Sequence, residues 1–496
     1  MGVDTDAAAS VAAEPAHPRL RSDVVALFAV LWAAATLFHL WGPSGAAFGV
    51  TSEEPRTLPV LQALSGAVAI AVLLRPRSIA RLAVLAVLGP VTLWFEAPFL
   101  GSHWVLAGIV DVAFLLALLS GRGAGLAGRS PRRVEAVFVP VARWVLVGFY
   151  FFAAFAKLNH AFFTPEVSCG TFYLDELAGS LGVSLHSTTA GGWSHLVPWG
   201  VAGTELSIPI LLSIRRTRHA GVVLGLVFHS IIALDQTHLF SDFSSVLAAL
   251  FVLFLPAGFA SDVVAHYRSL RVGAREALQA AVVIGCALVL GLQWYGRTAT
   301  VQRLFFDGRA WAWVLLDVTV LALVARFLLR PHPPAIERPL SFGRNGVPRW
   351  MAVVPILVLL TGLSPYLELR TAYAFNMYSN LQTADGESNH FFVRRTLPVT
   401  DHQSDLVRIV VTDDPGLRPY IGNFDLPFLQ LRDYLSRHPD ASLTYLRDGS
   451  TRSVARAADD PQLVEPVPSW QAKLFAFRSL DQQVPARCQP SFLPAL

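Results

Sequence analysis

The chain has 496 residues, 53% of them hydrophobic and only 15% charged, whereas a soluble domain carries about 25% charged residues. Lipid is therefore the expected main solvent. The formal net charge of +4 is too small to imply nucleic acid, and its placement along the chain says more than its sum.

Residues 1–18 are small, acidic and proline-containing, with no basic stretch ahead of a short apolar core. They do not read as a cleavable secretory signal, and a disordered cytoplasmic tail is expected. A helix needs about 20 mostly apolar residues to cross a bilayer. Runs of that kind lie near 23–42, 58–74, 79–98, 103–119, 136–158, 195–214, 219–235, 242–260, 276–295, 310–329 and 350–365. Several are short or contain proline, so ten or eleven spans are expected. The stretch from Phe162 to Gly192 is too polar to span and reads as a lid or interfacial helix.

Counting arginines in alternate loops orients these spans. One set holds 20, among them Arg75, Arg77, Arg132, Arg133, Arg215, Arg268 and Arg330. The other holds four: Arg56, Arg297, Arg303 and Arg309. Positive charge stays in the cytoplasm, which puts the N-terminus inside. Eleven spans then put residues 366–496 outside. The expected organisation is a tail over 1–18, an all-α polytopic membrane bundle over 19–365, and a small extracytoplasmic α+β domain over 366–496. In that domain, strand-like runs lie near Ala372–Tyr378, His390–Arg394, Leu406–Val411 and Ser442–Leu446. Amphipathic helices are expected near Leu426–Arg437 and Trp470–Ser479.

Three cysteines make neither a disulfide framework nor a zinc pattern. Cys286 falls in an apolar run and reads as a packing residue, whereas Cys169 and Cys488 share the outer side, where a bond between them is a hypothesis. Of 39 basic residues only two, Lys157 and Lys473, are lysine.

Ionisable groups inside a bilayer are costly and usually face a cavity or each other. Here they gather at outer span ends: His39, Glu96, His103, Lys157, His229, Asp235, His238 and Asp242. A lysine at a helix end often only snorkels, and a membrane-edge histidine often only packs. Arginine snorkels equally well but does not lose its proton, whereas lysine can serve as a neutral amine in apolar surroundings. In a chain that otherwise uses arginine, Lys157 stands out as a candidate base, with Phe151, Phe152 and Phe155 to supply the apolar setting. Deeper in the bilayer, Asp111 and Arg143 are placed to neutralise each other, and Glu205 and Asp317 to do the same or line a cavity. The spacing of His229, Asp235 and His238 matches no standard metal site. Ser388, Asn389 and His390 read as turn and strand chemistry, and no Walker, Rossmann, nucleophile-elbow or HExxH motif is present.

The run from Tyr150 to Phe162 resembles the Tyr-Phe-x-Ala-Gly-x-x-Lys-Leu segment of vitamin K-dependent γ-glutamyl carboxylases and their bacterial relatives, the HTTM family. Phe228 to Phe240 resembles that family's Phe-His segment, and Gly101-Ser102-His103-Trp104 its Asn-His-Ser stretch. Ala374 to His390 resembles the start of its lumenal β-rich region. The resemblance implies that a lysine amine deprotonates reduced vitamin K, or a menaquinol-like quinol, and that oxygen then adds. The resulting strong base would remove a glutamate γ-proton, and the carbanion would capture carbon dioxide as the quinol leaves as its epoxide. Carried over, Lys157 would be the base, His103 a proton-handling group and His229 a pocket residue. Phe152, Phe155, Trp104 and Phe228 would line the quinol site. The implied partners are membrane lipid, a lipophilic quinone and a secreted protein or peptide. The chain departs from the family in having Ala156-Lys157 where the carboxylases have two lysines, Ser102 in place of asparagine, and a shorter tail. The rival readings are a non-catalytic assembly factor or receptor and, third, a transporter, for which no inverted repeat is visible.

Overall fold

The computed structural model describes residues 22–41, 57–120, 131–186, 191–235, 238, 240–295, 299–331 and 346–489. The expected N-terminal tail lies outside them. Helices α1 (Asp23–Leu40), α2 (Thr57–Leu74), α3 (Ile79–Glu96), α4 (Ser102–Leu119) and α5 (Pro131–Ala156) form successive apolar rods. Ser22 caps α1 by accepting from the Val25 N–H at 3.0 Å, and Arg77 pairs with Asp23 at 2.7 Å beside it. A short helix α6 (Cys169–Ser180) follows, then α7 (Leu196–Ser213), α8 (Arg218–Ile232), α9 (Phe240–Phe251), α10 (Ala257–Ser269), α11 (Val272–Tyr295), α12 (Ala299–Leu328) and α13 (Val353–Leu363).

Among the described residues, seven helices are long and apolar enough to cross a membrane: α1 to α5, α7, and Gly308–Leu328 within α12. An eighth would be a broken span, because α9 and its 3₁₀ extension meet α10 at a bend of 112°. The described residues thus hold seven or eight such spans, where ten or eleven apolar runs were expected. Pro256 opens α10 with an extended backbone after Leu255, so the apolar run near 242–260 turns instead of continuing. Helix α8 and the stretch Arg349–Leu363 are apolar but shorter than a full span. The chain is a polytopic membrane bundle followed by a small α+β unit. Helix α6 supplies the short, non-spanning helix expected between Phe162 and Gly192.

The terminal region begins as part of the bundle. Ala372, Tyr373, Phe375 and Met377 belong to the same hydrophobic core as α1, α4 and α5. The run Ala372–Tyr378 forms turns, not the expected strand, and His390 makes only an isolated bridge with Asn159. Their apolar character reflects burial against helices, not ladder alternation. A two-stranded hairpin of β1 (Thr383–Ala384) and β2 (Glu387–Ser388) follows. An independent core lies beyond it, built by β3 (Leu406–Thr412), β4 (Phe424–Pro427), α14 (Phe428–Arg437), β5 (Leu443–Arg447), β6 (Ser450–Val454), α15 (Pro461–Val464), α16 (Ser469–Leu474) and β7 (Leu480–Asp481). The antiparallel sheet runs β6-β5-β3-β4-β7. Val407, Ile409, Leu426, Leu431, Leu435 and Tyr445 pack between the sheet and α14.

Candidate functional site

The last carbonyls of α5 have no partners within the helix, and the chain beyond Ala156 supplies them. Lys157 N–H donates to Ala154 O at 3.1 Å and Leu158 N–H to Phe155 O at 2.9 Å. Asn159 Nδ2 donates to Ala156 O at 2.8 Å, and the His390 Nε2 bonds Phe155 O at 2.9 Å. The Lys157 side chain folds back on the same end. Its Nζ lies 2.7 Å from Glu205 Oε2 on α7, donates to Met377 O at 2.9 Å and reaches Ala153 O at 3.4 Å, with the residue 2% exposed. A cation at this position also meets the negative end of the α5 dipole. Two backbone carbonyls thus accept from the ammonium, and Glu205 faces it as a counter-charge without hydrogen-bond geometry.

The ring against that ammonium is Phe162, at 6.0 Å. The aromatic setting expected from α5 itself faces elsewhere. Phe151 is half exposed and stacks on Phe155 at 5.7 Å, and Phe155 packs on Tyr366 and His390. Phe152 presses on Gly362 of α13, where an added Cβ would lie 2.2 Å from the ring. Helical rotation explains this: residues 151, 152 and 155 lie on the α13 side of α5, while 150, 153 and 157 face the bundle.

His229 is buried within the bundle. Its Nε2 is in short contact with Tyr150 OH, and its Nδ1 lies 3.4 Å from Ser244 Oγ. His103 pairs through Nε2 with Asp242 Oδ2 at 3.2 Å, and Trp104 Nε1 donates to the same oxygen at 2.9 Å. His39 bridges Asp242 at 3.4 Å and Glu96 at 2.9 Å, and Gln62 donates to Glu96 at 3.1 Å. The Phe243 ring separates the two histidine sites, with centroids 5.3 Å from His103 and 4.9 Å from His229. Phe228 packs beside His229 at 5.3 Å. The structure thus brings His103 and His229 against one ring, with Trp104 beside the first and Phe228 beside the second. Lys157 follows Tyr150 by about two helical turns and pairs with Glu205.

Two expected pairings are replaced. Asp111 accepts from Trp32 Nε1 at 2.8 Å, and Arg143 donates to Leu253 O at 2.6 Å. Glu205 takes Lys157, leaving Asp317 to accept from Ser230 at 2.9 Å. Asp235 and His238 pair with each other at 2.9 Å, away from the partners of His229. Among the described residues no group of three histidine, cysteine or carboxylate side chains is arranged to hold a metal ion.

The segment over the site was missed as a functional element by sequence reasoning. Tyr373, Tyr378 and Asn380 adopt left-handed backbone conformations with φ of 35°, 49° and 53°. Such strain persists only where surrounding contacts fix it. Here Lys157 holds Met377 O and Asn159 Nδ2 holds Ser379 O at 2.5 Å. Asn380 accepts from Cys169 N–H at 2.8 Å, next to the disulfide joining Cys169 to Cys488. That disulfide is the pairing considered from the sequence. Beneath this roof Tyr173 and Tyr378 meet at 4.5 Å, and burial raises both phenols above their ordinary range. Arg478 is buried nearby, and burial lowers its guanidinium to about 10.

A bound quinol would need polar partners for its head and an apolar channel for its tail. Buried polar atoms without a hydrogen-bond partner here include Ser102 Oγ, His103 Nδ1, Glu205 Oε2, Asp242 Oδ1 and both amide atoms of Asn376. Such atoms call for water or a ligand. A cleft of about 430 Å³ opens between α5, α7 and α13, lined by Gly148, Phe151, Phe152, Leu206, Ile210 and Leu359. Its walls suit a lipophilic molecule, and neither the lysine pair nor these polar atoms belong to its lining. Comparison of the chain with protein-family profiles, with curated proteins and with solved structures gives no match.

Proposed function

We propose that this chain is an integral-membrane enzyme that uses a reduced lipophilic quinone, oxygen and carbon dioxide. Its reading follows the vitamin K-dependent carboxylases it resembles, with glutamate in a secreted protein or peptide as acceptor. In this reading its N-terminus is cytoplasmic and its terminal domain faces outward. The observation that carries it is the buried Lys157–Glu205 pair, 2.7 Å apart where α5 ends. A buried ion pair is a poor stabilising device against well-packed apolar residues, so its presence favours a chemical role. Glu205 can take the ammonium proton directly, leaving a neutral amine beside a neutral acid. Met377 O and Ala153 O hold two N–H bonds of Lys157, and the amine becomes a base once its proton has passed to Glu205. The bound quinol supplies the reducing equivalents. His103 Nδ1 and the Asn376 amide, both without partners, would offer contacts to its head.

A second reading has its own observation. Lys473, the other lysine, donates to Trp94 O at 2.5 Å and lies over the Trp94 and Phe95 rings. Both lysines therefore bond backbone carbonyls across the seam between bundle and terminal region. In a non-catalytic receptor or assembly factor they would be fasteners, chosen because a compact ammonium reaches a single carbonyl where a planar guanidinium does not fit. The purified protein in nanodiscs, given menaquinol, oxygen and labelled bicarbonate, separates the two. Quinone epoxide and fixed label are expected from the native chain and should be lost in Lys157→Arg. Unchanged turnover in that variant would remove the enzyme reading. Epoxide without fixed label would retain the oxygenase and drop the carboxylase.

A further inference from the structure

Residues 391–400 form an exposed turn beside the end of α5, on which Phe392, Leu397 and Val399 are 74%, 72% and 63% exposed. Three large apolar side chains in water would be costly, and here they do not dangle from a loose loop. Phe391 N–H donates to Leu158 O at 2.9 Å, Leu397 N–H to Tyr366 O at 2.9 Å and Val399 N–H to Leu367 O at 3.0 Å. His390 Nδ1 accepts from the N–H groups of Phe392 and Val393, both at 3.1 Å. Thr396, at the centre of the turn, points inward and bonds Glu368, a fully buried carboxylate that also accepts from Gly386 N–H at 2.9 Å. The turn is thus a rigid platform that holds its apolar residues outward.

Its neighbours locate it. Helix α13 exposes Val353, Ile356, Leu360 and Leu363, a lipid-facing stripe that stops three residues before Tyr366. Leu397 continues from the end of that stripe. On the other flank Phe391 packs on Phe163 at 5.7 Å, and Phe163 on the exposed Trp199 at 4.3 Å. Trp193, half exposed, precedes the same helix. Tryptophan and other aromatics in such a band mark the headgroup level of a membrane. Between the apolar residues stand Arg394 and Arg395, both exposed and without an ion-pair partner among the described residues.

We propose that residues 391–399 are a leaflet anchor: Phe392, Leu397 and Val399 enter the bilayer at the terminal-domain end while Arg394 and Arg395 bind anionic lipid headgroups. The continuity with the α13 stripe and the aromatic band places the occupant as lipid, and the paired arginines set its charge. Because the turn bonds Leu158 and bridges Asn159, the anchor also holds Lys157 in register with the headgroup layer. A lipophilic molecule arriving laterally would then meet the cleft at a fixed depth. The anchor stands whether or not Lys157 is catalytic.

The full chain in nanodiscs tests this. A nitroxide at Leu397→Cys, in a Cys286→Ser background, is compared with one at Ile356→Cys in α13 and one at Val411→Cys on β3. Collisional relaxation by oxygen should exceed that by a water-soluble nickel chelate at 356 and 397, and the order should reverse at 411. A label at 397 that behaves like the one at 411 overturns the proposal, and Val399→Cys repeats the measurement at a second position. In mixed phosphatidylcholine and phosphatidylglycerol, native mass spectrometry should show the anionic lipid preferred. Arg394→Gln and Arg395→Gln should each reduce that preference about five-fold, the factor for one basic residue at a charged membrane surface. An unchanged preference in the double variant also overturns it.

Discussion

Removing one member of the Lys157–Glu205 pair should cost far more than removing both. The two side chains are 2% and 14% exposed and 2.7 Å apart. In Lys157→Met the Glu205 carboxylate is left in an apolar wall beside Leu206, with no cation against it. Breaking a buried pair in this way costs about 3–5 kcal/mol. Glu205→Leu leaves an ammonium that keeps Met377 O and Ala153 O, so its loss should be smaller, about 2–3 kcal/mol. The double variant Lys157→Met with Glu205→Leu removes both charges and forfeits the contact to Met377. Its loss should be about 1–2 kcal/mol, because replacing a whole buried pair by apolar residues is often close to neutral. The expected coupling is therefore about 3 kcal/mol or more, well above the scatter of independent sites. Unfolding of the purified protein in mixed detergent, followed for the four members of the cycle, measures it. Additive losses would show that the two residues do not act as an ion pair, and both readings of Lys157 would need another partner for it. The same four proteins assayed with quinol separate stability from chemistry.

The His390 ring gives a pH dependence. Its Nε2 bonds Phe155 O while its Nδ1 accepts two backbone N–H groups, an arrangement only the neutral ring can make, and burial lowers its pKa from the ordinary 6.5. Below about pH 6.5 the unfolded chain then binds more protons than the folded one. Stability should fall with pH through that window, and His390→Asn should flatten the curve in thermal melts. Gly362→Ala should destabilise by about 1–3 kcal/mol, the usual cost of overpacking, because the new Cβ meets the Phe152 ring at 2.2 Å. Thermal melts in detergent should show a lowered midpoint, and Phe152→Ala should relieve part of it. Cys169→Ser breaks a cross-link between residues 319 positions apart, and the loss of a native disulfide typically costs about 2–5 kcal/mol. Limited proteolysis should then cleave ahead of Cys488 sooner, with the sheet domain still intact.

The terminal domain was partly legible. Alternation over Leu406–Val411 and Ser442–Leu446 gave true strands, since each has one face on α14 and one in water. Alternation failed over Ala372–Tyr378, whose apolar residues face helices from several directions. The break in one span was illegible for a related reason. Hydropathy measures composition along the chain, but Pro256 turns the α9–α10 run through 112°, a bend that composition does not record.

From its own residues the chain establishes lipid as its main solvent, a soluble unit at its end and two lysines among 37 arginines. These are sums and periodicities, which need no knowledge of neighbours. Which charge meets which was decided by tertiary packing alone. Asp111 and Arg143 lie in consecutive helices but face Trp32 and Leu253, because position along the chain does not fix rotation about the helix axis. Glu205 was visible as a carboxylate in an apolar run. Only the packing of α7 against α5 made it the partner of Lys157. Only the fold of residues 373–380 into the bundle brought the Met377 carbonyl down to accept from that ammonium.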